Sequence, residues 1–179
     1  MLRMRRPRVL AAAMVLAVSV TGCRSLEGLG QLIRPPRFEQ APGQPAEIAF
    51  SGVSAAMPAG GATVRIWTKV TNPNPFGFTL STLSTTLLLD GSRAATGDFP
   101  LGLPLEASQS AVVPIELTIS FSDVPALTSV ARSALTGLGV QYRLDGTVGV
   151  DAGRLGQPTF GPLMLLEGEL RARRIVGSK

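Results

Sequence analysis

The stretch Val70-Thr-Asn-Pro-Asn-Pro-Phe-Gly-Phe78 lies where a β-strand should continue, yet it places prolines at 73 and 75 and asparagines at 72 and 74. Each proline removes a backbone donor and biases the residue before it toward extended conformations. The Asn72 and Asn74 side chains can bond the backbone groups this leaves open. Phe76 and Phe78 then resume the apolar pattern. The stretch reads as a strand break with a self-capped bend, a corner between two strands rather than a recognition loop.

Outward from that corner, the chain alternates with period two. "TVRIWTKVT" sets Val64, Ile66, Thr68 and Val70 on one face and Arg65, Trp67 and Lys69 on the other. "EIAFSGVSAA" places Ile48 and Phe50 together. Leu83, Thr85, Leu87 and Leu89 run into Asp90-Gly91, a dipeptide that tolerates positive φ and predicts a tight hairpin. In "SAVVPIELTISF", Ala111, Val113, Ile115, Leu117, Ile119 and Phe121 alternate with Ser110, Val112, Pro114, Glu116, Thr118 and Ser120, and Pro114 places that strand at an edge or a bulge. "VQYRLDGTVGVDAG" and "FGPLMLLEGELRA" supply the last strands, with Asp145-Gly146 and Asp151 to Gly153 reading as turns. About seven strands divided by turn signals predict an antiparallel β-sandwich. One segment departs from the pattern: Leu127, Val130, Ala131, Ala134, Leu135 and Leu138 have helical spacing, with Ser122 or Asp123 as cap and Gly137 or Gly139 as stop. A single inserted helix that closes one end of the sandwich is expected there.

The chain opens differently. Arg3, Arg5, Arg6 and Arg8 precede a 12-residue apolar run, Val9 to Val20, which is shorter than the roughly 20 residues a spanning helix needs. "Val20-Thr21-Gly22-Cys23" resembles the bacterial lipobox. That resemblance implies signal peptidase II cleavage between Gly22 and Cys23 and a diacylglycerol thioether on Cys23. The competing reading is an ordinary exported cysteine or an uncleaved anchor. Several buried acyl chains, at about 0.8 kcal/mol per methylene, would hold the protein stably on a membrane. Arg24, not Asp, follows the cysteine, which favours the periplasmic face of an outer membrane in a bacterium with two membranes.

The resulting organisation is a signal peptide over 1–22, a lipidated Cys23 with a Pro- and Gly-rich tether to 46, a folded domain over 47–174 and a tail over 175–179. As a flexible coil the 23 residues from 24 to 46 would span about 25 Å.

Composition narrows the chemistry. The 179 residues suffice for one core, 45 % are hydrophobic, and histidine is absent. The formal charge of +5 is a property of the leader: removing residues 1–22 takes away four of 17 basic residues and none of the 12 acidic ones, leaving +1. Nucleic acid is therefore not an expected partner. The one surviving basic cluster, Arg171, Arg173 and Arg174, reads as a solvated strand end, with contact to anionic head groups as its functional alternative. Without His, and with its single Cys given to lipid, the mature chain could do nucleophilic chemistry only through a Ser-Lys pair or paired carboxylates. Lys69 sits on a solvated strand face, and Asp90, Asp98, Asp123, Asp145 and Asp151 are read as turn or cap residues. No loop has calcium-ligand spacing, so no metal or other cofactor is expected, and no catalytic residue. Trp67 reads as a packing residue.

The order of an opening strand near "FSGVSAA", the segment "KVTNPNPFGFTLSTLSTTLLLDG", the strand "QSAVVPIELTISF", a helix and a closing "LEGELR" resembles the late embryogenesis abundant type 2 family, or water stress and hypersensitive response domain. Asn72-Pro73-Asn74-Pro75-Phe76 is the most recognisable piece, and the resemblance covers residues 47–174. It implies an immunoglobulin-like or fibronectin type III-like sandwich with one helix, and an association with desiccation and other stress. Three functions remain open: a lipid-anchored protectant that touches client proteins or membranes weakly, a structural adaptor of the cell envelope, and a carrier of a lipid or other apolar ligand.

Overall fold

A computed structural model describes residues 33–55, 57–122, 130, 132, 136 and 139–172. Eight strands form: β1 (Arg37–Gln40), β2 (Glu47–Ser51), β3 (Gly61–Thr71), β4 (Phe78–Leu89), β5 (Ser92–Leu105), β6 (Ser110–Ser120), β7 (Val140–Asp151) and β8 (Thr159–Ala172). The pairing is mixed. β3 takes β6 along one edge, and β1 and β2 end to end along the other. The second half runs β5-β4-β7-β8, all antiparallel. The two halves are joined where β2 pairs parallel with β8, Glu47 with Arg171 and Ile48 with Ala172.

Alternation explains the packing. Val64, Ile66 and Val70 of β3 and Ile115, Leu117 and Ile119 of β6 share one core with Leu80, Leu83, Leu87 and Leu89 of β4 and Val140, Leu144, Val148 and Val150 of β7. The fold is all-β and sandwich-like, with inner faces from both halves filling one interior. Leu80 and Leu83 are both buried although three apart, because the β4 ladder slips between Leu80 and Thr82 against both neighbours. That irregularity moves the alternation by one residue and keeps the leucines inward.

Several expectations meet the structure directly. The Asp90-Gly91 hairpin forms, with φ of 45° and 79° at its two turn residues and Leu89 paired with Ser92. β6 is an edge strand that pairs only with β3, in a ladder uninterrupted across Pro114. Others are corrected. Asp145 and Gly146 do not turn but lie inside β7, opposite Thr86 and Thr85 of β4. Glycine stands at 146 because a Cβ there would come 2.7 Å from the Ser84 carbonyl oxygen and from Leu165 Cδ1. Asp98 likewise sits within β5, paired with Ser84.

The tether reading is also revised. Residues 37–40 form β1 against Thr68–Thr71, and Ala41 and Ala46 are buried, so ordered structure begins well before residue 47. Of the segment expected to be an inserted helix, Val130 and Arg132 are helical and the Thr136 amide bonds the Arg132 carbonyl at 3.0 Å. Ser122, offered as its cap, lies in a turn with its hydroxyl 2.7 Å from that of Ser120, and the remaining residues through Leu138, Asp123 included, lie outside the described residues.

Candidate functional site

The corner that opens the sequence reading is a buried side-chain network. β3 ends at Thr71 and β4 begins at Phe78, and between them Asn72 and Asn74 are 0 % and 1 % exposed. The Asn72 amide nitrogen donates to the carbonyls of Phe76 at 2.8 Å, Glu106 at 3.0 Å and Leu105 at 3.1 Å. Its oxygen accepts the Asn74 backbone N–H at 2.9 Å and the Asn74 side-chain amide at 3.0 Å. Asn74 then exchanges two bonds with one residue of the entering chain: its oxygen accepts the Arg34 N–H at 2.8 Å and its nitrogen donates to the Arg34 carbonyl at 2.9 Å. Asn74 thus pairs with the Arg34 backbone as a neighbouring strand would.

The network gathers three separate segments. The β5–β6 loop is held by Asn72 through Leu105 and Glu106, and by backbone bonds from Asn72 N–H to Gln109 and from Ser108 N–H to Asn74. Pro73 and Pro75 sit where no donor is required. Phe76 is half-buried, and its carbonyl is the local acceptor. Every polar side-chain atom of the two asparagines is buried and bonded within the protein, so their amides are committed to structure. Chemically it is a structural knot. An amide suits it because one flat group presents both a donor and an acceptor without a charge to desolvate.

The outer face of β3 carries the residues weighed for chemistry. Arg65 pairs with Glu116, and Lys69 lies 3.9 Å from Glu39 across β1. These are exposed ion pairs of modest worth. Trp67 is half-buried between them, opposite Pro114. On β7, Arg143 bonds Asp145 at 2.8 Å, and that carboxylate holds the guanidinium pKa above its usual value. Asp90 caps its hairpin by accepting the Gln141 N–H at 3.0 Å, and Asp151 accepts the Gly153 N–H at 2.8 Å, opening a short 3-10 turn at Gly153–Leu155. Among the described residues no three Cys, Asp or Glu side chains gather as a metal would require.

Arg171 is exposed near the end of β8, in register with Glu47. Arg173, Arg174, Gly22 and Cys23 lie outside the described residues. Two buried hydroxyls escape the sequence reading: among the described residues, Thr68 Oγ1 and Tyr142 Oη have no hydrogen-bond partner. Alternation alone counts both as core positions and says nothing of their oxygens. Burial raises the Tyr142 pKa.

Comparison with known proteins agrees with the geometry. A family model described as late embryogenesis abundant protein matches residues 68–163, a span that begins on β3 and includes the asparagine knot. No curated protein matches the chain in sequence. Among solved structures, a solution structure of an Arabidopsis thaliana protein is 19 % identical with a TM-score of 0.53, covering 76 % of this chain and 85 % of its own. A solution structure of a late embryogenesis abundant protein is 18 % identical with a TM-score of 0.49, covering 93 % and 88 %. A crystal structure of a protein from Archaeoglobus fulgidus is 16 % identical with a TM-score of 0.43, covering 74 % and 98 %.

Proposed function

The chain belongs to the late embryogenesis abundant type 2 family, and on that premise we propose that it is a lipid-anchored, non-enzymatic protectant of the bacterial cell envelope in stress. The observation that carries the reading is the family match over residues 68–163 on a folded β-domain whose most distinctive polar residues, Asn72 and Asn74, are spent on structure. The domain is read as an immunoglobulin-like or fibronectin type III-like sandwich. Its exposed sheet faces, with paired charges around Trp67, suit weak and unselective contact with client proteins or membrane surfaces.

Anchoring rests on the lipobox-like Val20-Thr21-Gly22-Cys23, with diacylglycerol on Cys23. Since Arg24 follows, the periplasmic face of an outer membrane is the proposed location in a bacterium with two membranes. An adaptor acting by β-augmentation is less favoured, because the edge strands carry Pro100 and Pro104 in β5 and Pro114 in β6. An apolar carrier is less favoured because Ile66, Leu87 and Leu144, all 0 % exposed, fill the interior between the halves.

The test uses the mature chain purified from membranes. It is expected to keep a labile enzyme soluble through drying or freezing better than an equal mass of an inert protein. Protection no better than that control would overturn the protective reading.

A further inference from the structure

We propose that Asp90-Gly91 is the site at which this protein forms isoaspartate, a spontaneous covalent modification that the fold confines to one hairpin. It requires neither the lipid anchor nor the protective activity. The reaction begins when a backbone N–H attacks the side-chain carbonyl carbon of the residue before it, which asparagine and aspartate alone place in reach of a five-membered ring. Both asparagines of the chain, Asn72 and Asn74, are followed by proline, whose nitrogen has no hydrogen to give up, so neither reacts this way. Of the aspartates, Asp98, Asp123 and Asp151 precede Phe, Val and Ala. Asp90 and Asp145 precede glycine, where no side chain shields the attacking nitrogen.

The same dipeptide thus stands in two opposite settings. Asp90 and Gly91 are both exposed at the turn between β4 and β5, and nothing lies within 4 Å of where a Cβ on Gly91 would stand. The ladder ends with Leu89 opposite Ser92, which leaves the Gly91 N–H outside it. Asp90 is held at φ 45°, a left-handed conformation that disfavours residues with a side chain. Its N–H donates to the Gln141 carbonyl at 2.9 Å and its carboxylate accepts the Gln141 N–H at 3.0 Å, two bonds that tie the tip to the start of β7.

Asp145-Gly146 lies inside β7, with β4 on one side and β8 on the other. Gly146 is buried opposite Thr85 and Leu163, and the Asp145 carboxylate is bonded by Arg143 at 2.8 Å. Since a Cβ at 146 would come 2.7 Å from the Ser84 carbonyl oxygen and from Leu165 Cδ1, a ring has no room to close there. A hairpin tip opens at little cost, whereas a strand flanked on both sides opens only with much of its sheet. The fold therefore makes one reactive and one protected site from two chemically equal dipeptides.

The chemistry needs only water. The Gly91 nitrogen bonds to Asp90 Cγ, the carboxyl hydroxyl leaves as water with the amide hydrogen, and a cyclic imide results. Water then cleaves the ring at the former main-chain carbonyl carbon, so the chain runs through Cγ and the old carbonyl becomes a free carboxylate. Mass is unchanged, but the turn gains a backbone methylene and the group that accepted the Gln141 N–H becomes main chain.

The experiment ages the intact purified protein in warm neutral buffer, folded and in parallel in urea, and then digests it with trypsin. Residues 70–93 and 144–154 fall in separate tryptic peptides; the first holds Asp90 as its single aspartate, and fragmentation separates Asp145 from Asp151 in the second. Isoaspartate is counted by methyl transfer from S-adenosylmethionine with an isoaspartyl carboxyl methyltransferase. In the folded protein the 70–93 peptide is expected to carry at least about ten times the label at Asp145, and in urea the two should agree within about two-fold. Asp90→Glu, whose longer side chain closes the ring poorly, should remove the label from 70–93 in both states. Equal label at the two sites of the folded protein overturns the proposal. So does a folded protein whose 70–93 peptide stays unlabelled while the urea-aged chain gains label there, since the Gln141 bonds would then protect the turn.

Discussion

At the scale of single residues, the molecule buries polar atoms under two opposite regimes. Asn72 and Asn74 have both polar side-chain atoms bonded, whereas Thr68 Oγ1 and Tyr142 Oη have no partner among the described residues. An unpartnered buried hydroxyl costs about 1–3 kcal/mol in lost hydration, so removing it should stabilise the fold. Tyr142 offers the clearer test because it is the single tyrosine and its pKa is raised above 10.0 by burial. Between the unfolded and folded pKa the unfolded chain loses its proton and the native protein keeps it, so stability falls as pH rises past about 10. Tyr142→Phe is expected to raise unfolding stability by about 1 kcal/mol at neutral pH and to remove the tyrosine contribution to alkaline loss. Denaturant unfolding at pH 7 and pH 10.5 checks both; a variant less stable than its parent at both values would show that the hydroxyl is satisfied in solution.

The asparagines illustrate what a sequence reveals at this scale. Their local role follows from Pro73 and Pro75, because prolines open backbone groups that a neighbouring amide can satisfy. Their distant partners do not follow. Leu105 and Glu106 lie 33 and 34 positions from Asn72, and Arg34 lies 40 from Asn74, and all three are reached through main-chain atoms that every residue type possesses.

At the scale of elements, β6 shows how an exposed edge is closed to other chains. The Asn72 N–H bonds the Gln109 carbonyl and the Phe121 N–H bonds the Gly60 carbonyl, which fixes the phase of the β3–β6 ladder at both ends. Odd-numbered residues of β6 therefore exchange bonds with β3, and even-numbered ones turn theirs outward. Pro114 falls on the outward set, so it costs the ladder nothing and removes a donor from the middle of the open edge. Pro114→Val should leave monomer stability within about 1 kcal/mol of the parent while promoting concentration-dependent self-association, read by light scattering after size exclusion. Identical molar mass at all concentrations would show that the edge is guarded by something else.

The edge position of β6 is legible because proline has a fixed physical meaning in a sheet. β1 is not, since four residues with no apolar alternation, preceded by Pro35-Pro36, carry no periodic signal and become a strand only because β3 has a free edge beside them. Asp145-Gly146 misleads for a related reason. The dipeptide suits a turn, but glycine at 146 answers to crowding by Ser84 and Leu165, which a local reading cannot see.

At the scale of the whole molecule, the β3–β4 corner links the two halves, since β3 belongs to one and β4 to the other. The Asn72 amide also fastens the β5–β6 loop, which makes the same crossing, and Asn74 fastens the entering chain. The most recognisable sequence of the family shapes the sandwich, and in the proposed protective function it is the exposed faces elsewhere that would make contact with clients. Stability and protection should then separate on substitution. Truncating both asparagines leaves buried carbonyls and the Asn74 N–H without partners, at a cost of about 3 kcal/mol or more.

The most direct measurement is thermal unfolding of Asn72→Ala/Asn74→Ala, read alongside its protection of a labile enzyme below the melting transition. The expected result is a lowered Tm, with protection per folded molecule unchanged. Loss of protection with the Tm intact would contradict it and make the corner the place where the protein acts.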